Sequence, residues 1–434
     1  MTRPSARSIA VEVISRVIDD GAYSTRLLPS LLERSGLDVR DRAFATELAL
    51  GTLRRRLRLD PAITRAARRP IDRVTPAAAR HALRLGAYQL LEAGVPPHAA
   101  VSETVDLVEG RARGFVNAVL RTLSRSPYVA AEGPGADAVA ERTGLAPWAI
   151  DELGVLLGDE RETAAAALAS PAPLCVRVVG GPTRVPEVIG SFAAAGVEAT
   201  PAAVHPACIL VARGDPRRLP GFPEGTWTVQ DQASAFVGAV LASAAGDRVA
   251  DVCAAPGGKA LQACEDVGPS GRVVAADVSM QRIGLIARSA QRLGVAPWLL
   301  VQDATAPALG GPFDRVLVDA PCSGIGSARR RPELLWRVDR ARLTGLAARQ
   351  LAIVSASAEL LRPGGRLVYS VCTFPRSETD AVCDALLRAR PELEPIPTDG
   401  PDGPKERHRL WPHRHGSDGM FVAAFERASE AVGP

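Results

Sequence analysis

From residue 229 onward, short runs of β-branched residues alternate with stretches of helical periodicity, and few folds accommodate that rhythm. "RVADVCAA", "GRVVAADVS", "PWLLVQDA" and "FDRVLVDAP" read as strands. "GGKALQACEDV" and "QRIGLIARSAQRLG" read as helices between them. A long helix is predicted over about 339–361, followed by the strand "GRLVYSVCT". This alternation predicts an α/β domain over 229–434, with a mostly parallel sheet covered by helices on both faces. Ligands of such sheets bind beyond the carboxyl ends of the strands, near the point where strand order reverses.

The upstream sequence reads differently. Residues 1–128 place apolar residues at helical spacing in "SIAVEVISRVI", "DRAFATELALGTLRRRLRLD", "AARHALRLGAYQLLEA" and "ARGFVNAVLRTLSR", with prolines as punctuation. Residues 129–145 are rich in Gly, Ala and Pro and read as a linker. Residues 146–228 mix short helices with the strand-like pieces "LCVRVVG" and "CILVAR", which predicts a small α+β module. Net charge is +4, but residues 1–130 hold 21 arginines against 13 acidic residues. A basic helical domain attached to a mildly acidic one points to a polyanionic partner. The seven cysteines form no CxxC pair or Cys/His cluster, which argues against a disulfide framework or structural zinc and for a reducing cytoplasm. No apolar run is long enough for a membrane helix, and the N-terminus lacks the apolar core of a secretory signal.

The chemistry-bearing motifs fall at predicted strand ends. "DVCAAPGGK" (251–259) closes one strand and opens a helix, where Gly257 and Gly258 allow a ligand close to the backbone and the helix N-terminus offers N–H groups. It is neither a dinucleotide fingerprint nor a phosphate loop. Asp277 ends the next strand, where an acid suits a ribose diol, and Asp303 ends the third, where an acid can accept from an adenine amino group. The ordered set predicts an adenosine-bearing ligand and leaves S-adenosylmethionine and NAD both open. "DAPCSG" and "VYSVCTF" each place a cysteine, Cys322 and Cys372, just past a strand end. Both motifs resemble those of the RNA cytosine-C5 methyltransferases, which implies a thiolate adding to carbon 6 so that carbon 5 becomes nucleophilic, with a donor near ring nitrogen 3 to meet the developing charge. Which cysteine adds and which assists is not fixed by these residues. Cys175, Cys208, Cys264 and Cys383 read as buried apolar filler.

"RDRAFATELALGTLRR", "LRLGAYQLL…VPPHAAVSETVDLV" and "GFVNAVLRTLSR", in that order, resemble the NusB-type RNA-binding helical bundle. "DVCAAPGGK", "DAPCSG" and "YSVCTF" resemble the RNA cytosine-C5 methyltransferases, and "VQDQAS" (229–234) resembles the segment preceding their catalytic fold. Together they are similar to the bacterial 16S ribosomal RNA methyltransferases of RsmB type over nearly the whole chain. The resemblance implies a Rossmann-like methyltransferase domain using S-adenosylmethionine. It implies a cofactor site of Cys253, Ala254, Ala255, Pro256, Gly257, Gly258, Lys259, Asp277, Arg282, Asp303 and Asp319. It further implies Cys372 as nucleophile, Cys322 as an aid to product release, and Asp319 in contact with the base. Ala260 and Val371 depart from the usual threonines, and neither position carries chemistry. An RNA partner follows, 16S ribosomal RNA by the NusB-like segment, with a loop or flipped-out base as target. Arg329, Arg330 and Arg331, directly after "DAPCSG", suit phosphates around that base. Trp336 reads as packing. His408, His413 and His415 lack partner acids or cysteines and predict no metal. They lie in an expected closing hairpin that turns at Asp418–Gly419. A cytoplasmic monomer is expected. Another ribosomal or transfer RNA target, and a non-catalytic RNA-binding or antitermination factor, remain as alternatives.

Overall fold

In the computed structural model residues 4–126, 128–212 and 214–429 are described, so the outer ends of the first and last predicted segments, 1–3 and 430–434, fall outside. The chain divides into two compact units. One holds residues up to Ser170 together with Ala328–Asp339, and the other holds Pro171–Ser327 and Arg340 onward.

The first unit is helical: α1 (Ala6–Ile18), α2 (Ser24–Arg34), α3 (Val39–Arg54), α4 (Arg56–Ala67), α5 (Ala77–Leu91), α6 (Pro97–Val105) and α7 (Ala112–Arg125). Prolines mark helix starts, with Pro76 just before α5 and Pro97 opening α6, where the missing N–H has no partner to lose. One face of each helix enters a shared core, such as Ile9, Val13, Ile14 and Val17 of α1. Arg84 crosses that core and grips Asp60 with two hydrogen bonds of 2.7 and 2.9 Å, a geometry that satisfies a buried guanidinium.

The predicted linker contains a helix, α8 (Ala136–Thr143), which stops at Gly144 in the left-handed region. Its apolar face is only Val139 and Ala140, too short to stand out from a Gly/Pro-rich composition. The helices expected in the small α+β module, α9 (Pro147–Leu157) and α10 (Arg161–Leu168), count with the first unit, while the strands of that module lie in the second.

Those strands form an antiparallel sheet: β1 (Leu174–Val178), then α11 (Val185–Ala194), β2 (Ala199–Pro201), β3 (Cys208–Val211) and β4 (Trp227–Val229), ordered β2-β3-β1-β4. Phe192 of α11 packs edge-on against Trp227. Asp231 caps the following α12 (Gln232–Leu241) and leads into the large sheet.

There, strand and helix alternate as predicted: β5 (Arg248–Asp251), α13 (Gly258–Val267), β6 (Arg272–Asp277), α14 (Met280–Leu293), β7 (Trp298–Val301) and β8 (Phe313–Asp319). The chain then leaves this unit, and α15 (Leu334–Arg337) belongs to the helical one. In that unit Trp336 Nε1 donates to the Leu53 carbonyl at 2.9 Å, so Trp336 is a packing residue. Fully buried Glu333 accepts from Ser24 N and Oγ at 3.1 and 2.7 Å. α16 (Arg340–Ala358), β9 (Leu361–Val371), α17 (Asp380–Ala389), β10 (Leu393–Pro395), β11 (Arg407–Leu410), α18 (Pro412–His415) and β12 (Met420–Arg427) complete the chain. Sheet order is β10-β12-β9-β8-β5-β6-β7, with β11 pairing β12. Strands β5 to β9 are parallel, and β11 and β12 form the expected closing hairpin. β12 runs antiparallel to β9 and lays Phe421 against Tyr369, both fully buried. Removing such an aromatic leaves an unfilled cavity, so Phe421→Ala should destabilise the sheet unit by about 3–5 kcal/mol, read as an earlier denaturant midpoint of its unfolding transition.

Candidate active site

Parallel pairing of β8 with β9 ends at Asp319↔Ser370, and Ala320 N still donates to the Ser370 carbonyl at 3.0 Å. Both chains therefore leave the sheet side by side. Cys372 comes immediately after β9, and Cys322 lies in the loop after β8. Their Sγ atoms are 3.5 Å apart. Gly326 holds the two loops close, donating to the Cys372 carbonyl at 3.1 Å. A Cβ at Gly326 would sit 2.1 Å from the Gly419 carbonyl oxygen and 2.9 Å from that of Cys372. Only glycine fits where three backbone segments converge.

Asp319 closes β8, three residues before Cys322. Its Oδ2 accepts from Lys259 Nζ at 2.8 Å and its Oδ1 from Ser370 Oγ at 2.8 Å. Burial alone would lower the pKa of Lys259. The carboxylates of Asp319 and Asp251 and the charge of Cys372 outweigh it, and the ammonium is held above its ordinary value. The Cys322 thiol is pushed well up, first by its hydrogen bond with Cys372, then by burial, and further by the charges of Glu378 and Asp319. The Lys259 ammonium lies within electrostatic reach of Cys372.

The cofactor end is built on β5 and β6. Asp251 ends β5, and Gly257 (φ +114°) turns the chain into α13, where a Cβ would press to 3.3 Å of Ile286 Cγ2. Ala254 N donates to the Ala276 carbonyl at 2.8 Å, which fastens Cys253, Ala254, Ala255, Pro256 and Gly258 against β6. Buried Asp277 accepts from Ala255 N and Ser279 N at 3.3 and 3.0 Å and pairs with Arg282 Nη1 at 3.2 Å. Its two oxygens still have lone pairs for a diol. Asp303 is held below the usual carboxylate range by the Thr305 N–H and hydroxyl. Burial raises the Cys253 thiol, so this cysteine sits in the turn as an apolar group. Asp251 Oδ2 is buried with no partner, and its carboxyl is pushed up to about 8, by burial first and then by Asp319. Asp251, Ala254, Pro256, Gly258, Lys259 and Asp319 help line a cavity of about 320 Å³. An orphaned acid beside other carboxylates suits a ligand bearing positive charge, and the sulfonium and ammonium of S-adenosylmethionine fit that donor set where the nicotinamide cofactor's diphosphate does not.

The structure thus brings Cys322, Cys372, Asp319 and Lys259 together, with the Gly turn, Asp277 and Arg282 on adjoining strand ends. Arg329, Arg330 and Arg331 count with the helical unit, half-buried, with the Arg329 carbonyl accepting from Arg54 Nη2 at 3.3 Å. The sequence reading gave no role to Ser370, Gln350 or Glu378. A serine and a glutamine inside otherwise apolar stretches were the available signal. Among the described residues no group of three or more His, Cys, Asp or Glu could hold a metal, and no helix is long and apolar enough to cross a membrane. His408 and His415 serve the closing hairpin through Thr398 and Asp402.

An aspartate whose folded pKa is raised favours the protonated native state. Its stabilising contribution is present in acid and is lost as pH climbs from about 4 to about 8. Asp251→Asn mimics the neutral form. Without cofactor, the melting temperature of Asp251→Asn relative to the native protein should rise between those limits and level off above them, as read by scanning calorimetry across pH.

Comparison with known proteins agrees with this geometry. Residues 238–426 match the family model described as 16S rRNA methyltransferase RsmB/F, and residues 4–125 match the NusB family. MT1451 of Mycobacterium tuberculosis is 39% identical over 97% of this chain and 96% of its own. Ribosomal RNA small subunit methyltransferase B of Xylella fastidiosa is 36% identical over 96% of each chain. The crystal structure of PH0851 superposes with a TM-score of 0.83 at 24% identity, covering 98% of this chain and all of that one, which establishes a shared fold. The chain belongs to the RsmB/F family of S-adenosylmethionine-dependent ribosomal RNA methyltransferases, with a NusB-family helical domain ahead of its methyltransferase fold.

Proposed function

We propose that this chain methylates carbon 5 of a cytosine in 16S ribosomal RNA through a transient bond between Cys372 and carbon 6 of the base. The observation that carries the reading is the 3.5 Å approach of two sulfurs at the ends of neighbouring parallel strands, above the Lys259–Asp319 pair. Methyl transfer to an amine or hydroxyl needs no thiol. Transfer to an unactivated ring carbon does, and a second group must then help the first to leave.

The residues divide that work by their surroundings. Cys372, within electrostatic reach of the Lys259 ammonium, adds to carbon 6. Asp319 accepts from the exocyclic amino group of the base, and Lys259 offsets the negative charge that builds on the ring. S-adenosylmethionine supplies the methyl group and its sulfonium leaving group. Cys322, hydrogen-bonded to Cys372, passes a proton to the departing Cys372 sulfur and takes the carbon 5 proton in its place, so the ring double bond re-forms and both thiols are restored.

The target follows from kinship and charge. The relatives of X. fastidiosa and Vibrio cholerae are named ribosomal RNA small subunit methyltransferase B, and the arginine excess of the helical unit supplies the cationic surface a folded RNA requires. In this reading Arg329–Arg331 contribute phosphate contacts, and the enzyme works in the cytoplasm.

Cys372→Ala should cut transfer of labelled methyl groups to 16S RNA by at least about a thousandfold, as loss of a covalent nucleophile does, while S-adenosylmethionine affinity by calorimetry stays within about twofold. Cys322→Ala should instead accumulate a protein–RNA adduct that survives a denaturing gel. Near-native methylation by Cys372→Ala would overturn the mechanism, and an adduct trapped by Cys372→Ala would reverse the two roles. Bisulfite sequencing of ribosomal and transfer RNA from a deletion strain should show loss of methylation at one cytosine of 16S RNA. Loss of none removes the reading.

A further inference from the structure

Past the last ladder pair, Asp319 with Ser370, two backbone bonds join the cysteine loops, Ala320 N to the Ser370 carbonyl and Gly326 N to the Cys372 carbonyl, and neither engages a cysteine side chain. The sulfurs nevertheless lie 3.5 Å apart. The side chain that spans them is Glu378, in the short 3₁₀ turn before α17 and fully buried. Its Oε1 accepts from Ser323 N at 2.8 Å and Gln350 Nε2 at 2.9 Å. Its Oε2 accepts from Ser323 Oγ at 2.5 Å and Thr373 Oγ1 at 3.4 Å, and those two hydroxyls are 2.7 Å from each other. Ser323 directly follows Cys322, and Thr373 directly follows Cys372. Gln350 extends the clamp to the Pro321 carbonyl at 3.0 Å, and Tyr369 Oη fixes the Glu378 carbonyl at 2.7 Å.

We propose that Glu378 is the positioning residue of this active site, its one carboxyl group tying the residue after each cysteine to the other and so setting the distance between the two sulfurs. The inference rests on the reading of Cys372 as nucleophile and Cys322 as its aid. Among the described residues Glu378 has no cationic partner; every donor to it is a neutral amide or hydroxyl. Burying such a group costs stability unless its hydrogen bonds are complete, and an apolar residue would pack the same space more cheaply. The position therefore makes sense as geometry held for chemistry. A nucleophile displaced by about 1 Å can lose about a hundredfold in rate.

Reach separates this role from a merely structural one. Glu378→Asp keeps the charge but shortens the side chain by a methylene, so it can no longer serve both loops. It should lower kcat by about a hundredfold, with KM for RNA and S-adenosylmethionine affinity within about threefold of native. Glu378→Gln keeps the length, with its oxygen toward Ser323 N and its amide donating to the hydroxyls, and should restore kcat to within about threefold. Thr373→Val removes only the hydroxyl on the Cys372 side and should slow turnover by about tenfold, a loss of one net hydrogen bond. Sulfur spacing is read independently with phenylarsine oxide, which loses its oxygen as water when two nearby thiols bridge the arsenic. Trapping of the Cys322–Cys372 pair, scored against Cys322→Ala, should be fast in the native protein and Glu378→Gln and slow in Glu378→Asp and Thr373→Val. Native kcat and trapping in Glu378→Asp, or a Glu378→Gln variant as impaired as Glu378→Asp, overturns the proposal. Because the arsenical reports spacing without catalysis, a failed cysteine mechanism would show in Cys372→Ala methylation and leave this readout intact.

Discussion

Everything at the active site depends on the parallel pairing of β8 with β9. A shared ladder ending at Asp319 and Ser370 delivers two loops from the same edge, each bearing a cysteine close to its start. Parallel strands that meet in this way are joined through the helices that cover the sheet, so residues 50 positions apart along the chain come within reach of one another. The same ladder sets the floor: Asp319 Oδ1 takes the Ser370 hydroxyl from the neighbouring strand and leaves Oδ2 for Lys259. Pairing of two strands thereby brings two sulfurs, one carboxylate and one ammonium to one sheet edge.

Electrostatics then gives unlike surroundings to like groups. Of two adjacent cysteines, one sits by the acids Glu378 and Asp319 and the other within reach of Lys259. Of the strand-end aspartates, Asp277 is satisfied by backbone N–H groups and Arg282, while Asp251 keeps an oxygen without a partner in the protein. A buried carboxyl left in that state is costly to a protein with nothing bound. A family that binds a methionine arm bearing a sulfonium and an ammonium has a use for it.

The closing hairpin of β11 and β12 serves the site from the far side of β9. Asp418 N donates to Asp231 at 3.1 Å and Gly419 N to the Gly326 carbonyl at 2.8 Å, so the turn of the hairpin braces both the cap of α12 and the loop after Cys322. Such bracing by backbone groups leaves no room for side chains, which is why glycines occupy Gly326 and Gly419.

Most of the architecture was legible from residue order. Alternating runs of apolar residues named the strands β5, β6, β8 and β9 and the helices between them, because periodicity reports which face of an element is apolar. The motif "DVCAAPGGK" and the cysteines of "DAPCSG" and "VYSVCTF" were legible because each closes a strand. Element partnership was not legible. Helix α8 hid in a composition that reads as linker, and α9 and α10 joined the helical unit although their sequence neighbours are strands. Arg329–Arg331 follow "DAPCSG" by a few residues, yet Glu333 and Trp336 draw their segment into the helical core through Ser24 and Leu53. Sequence alone determined which chemical groups this chain carries and at which strand ends they stand, since propensity and periodicity are local. Only the tertiary structure decided that Cys322 and Cys372 meet at 3.5 Å and that Glu378 reaches the residue after each, since contacts between distant segments depend on which buried faces and hydrogen-bonding groups satisfy one another in three dimensions.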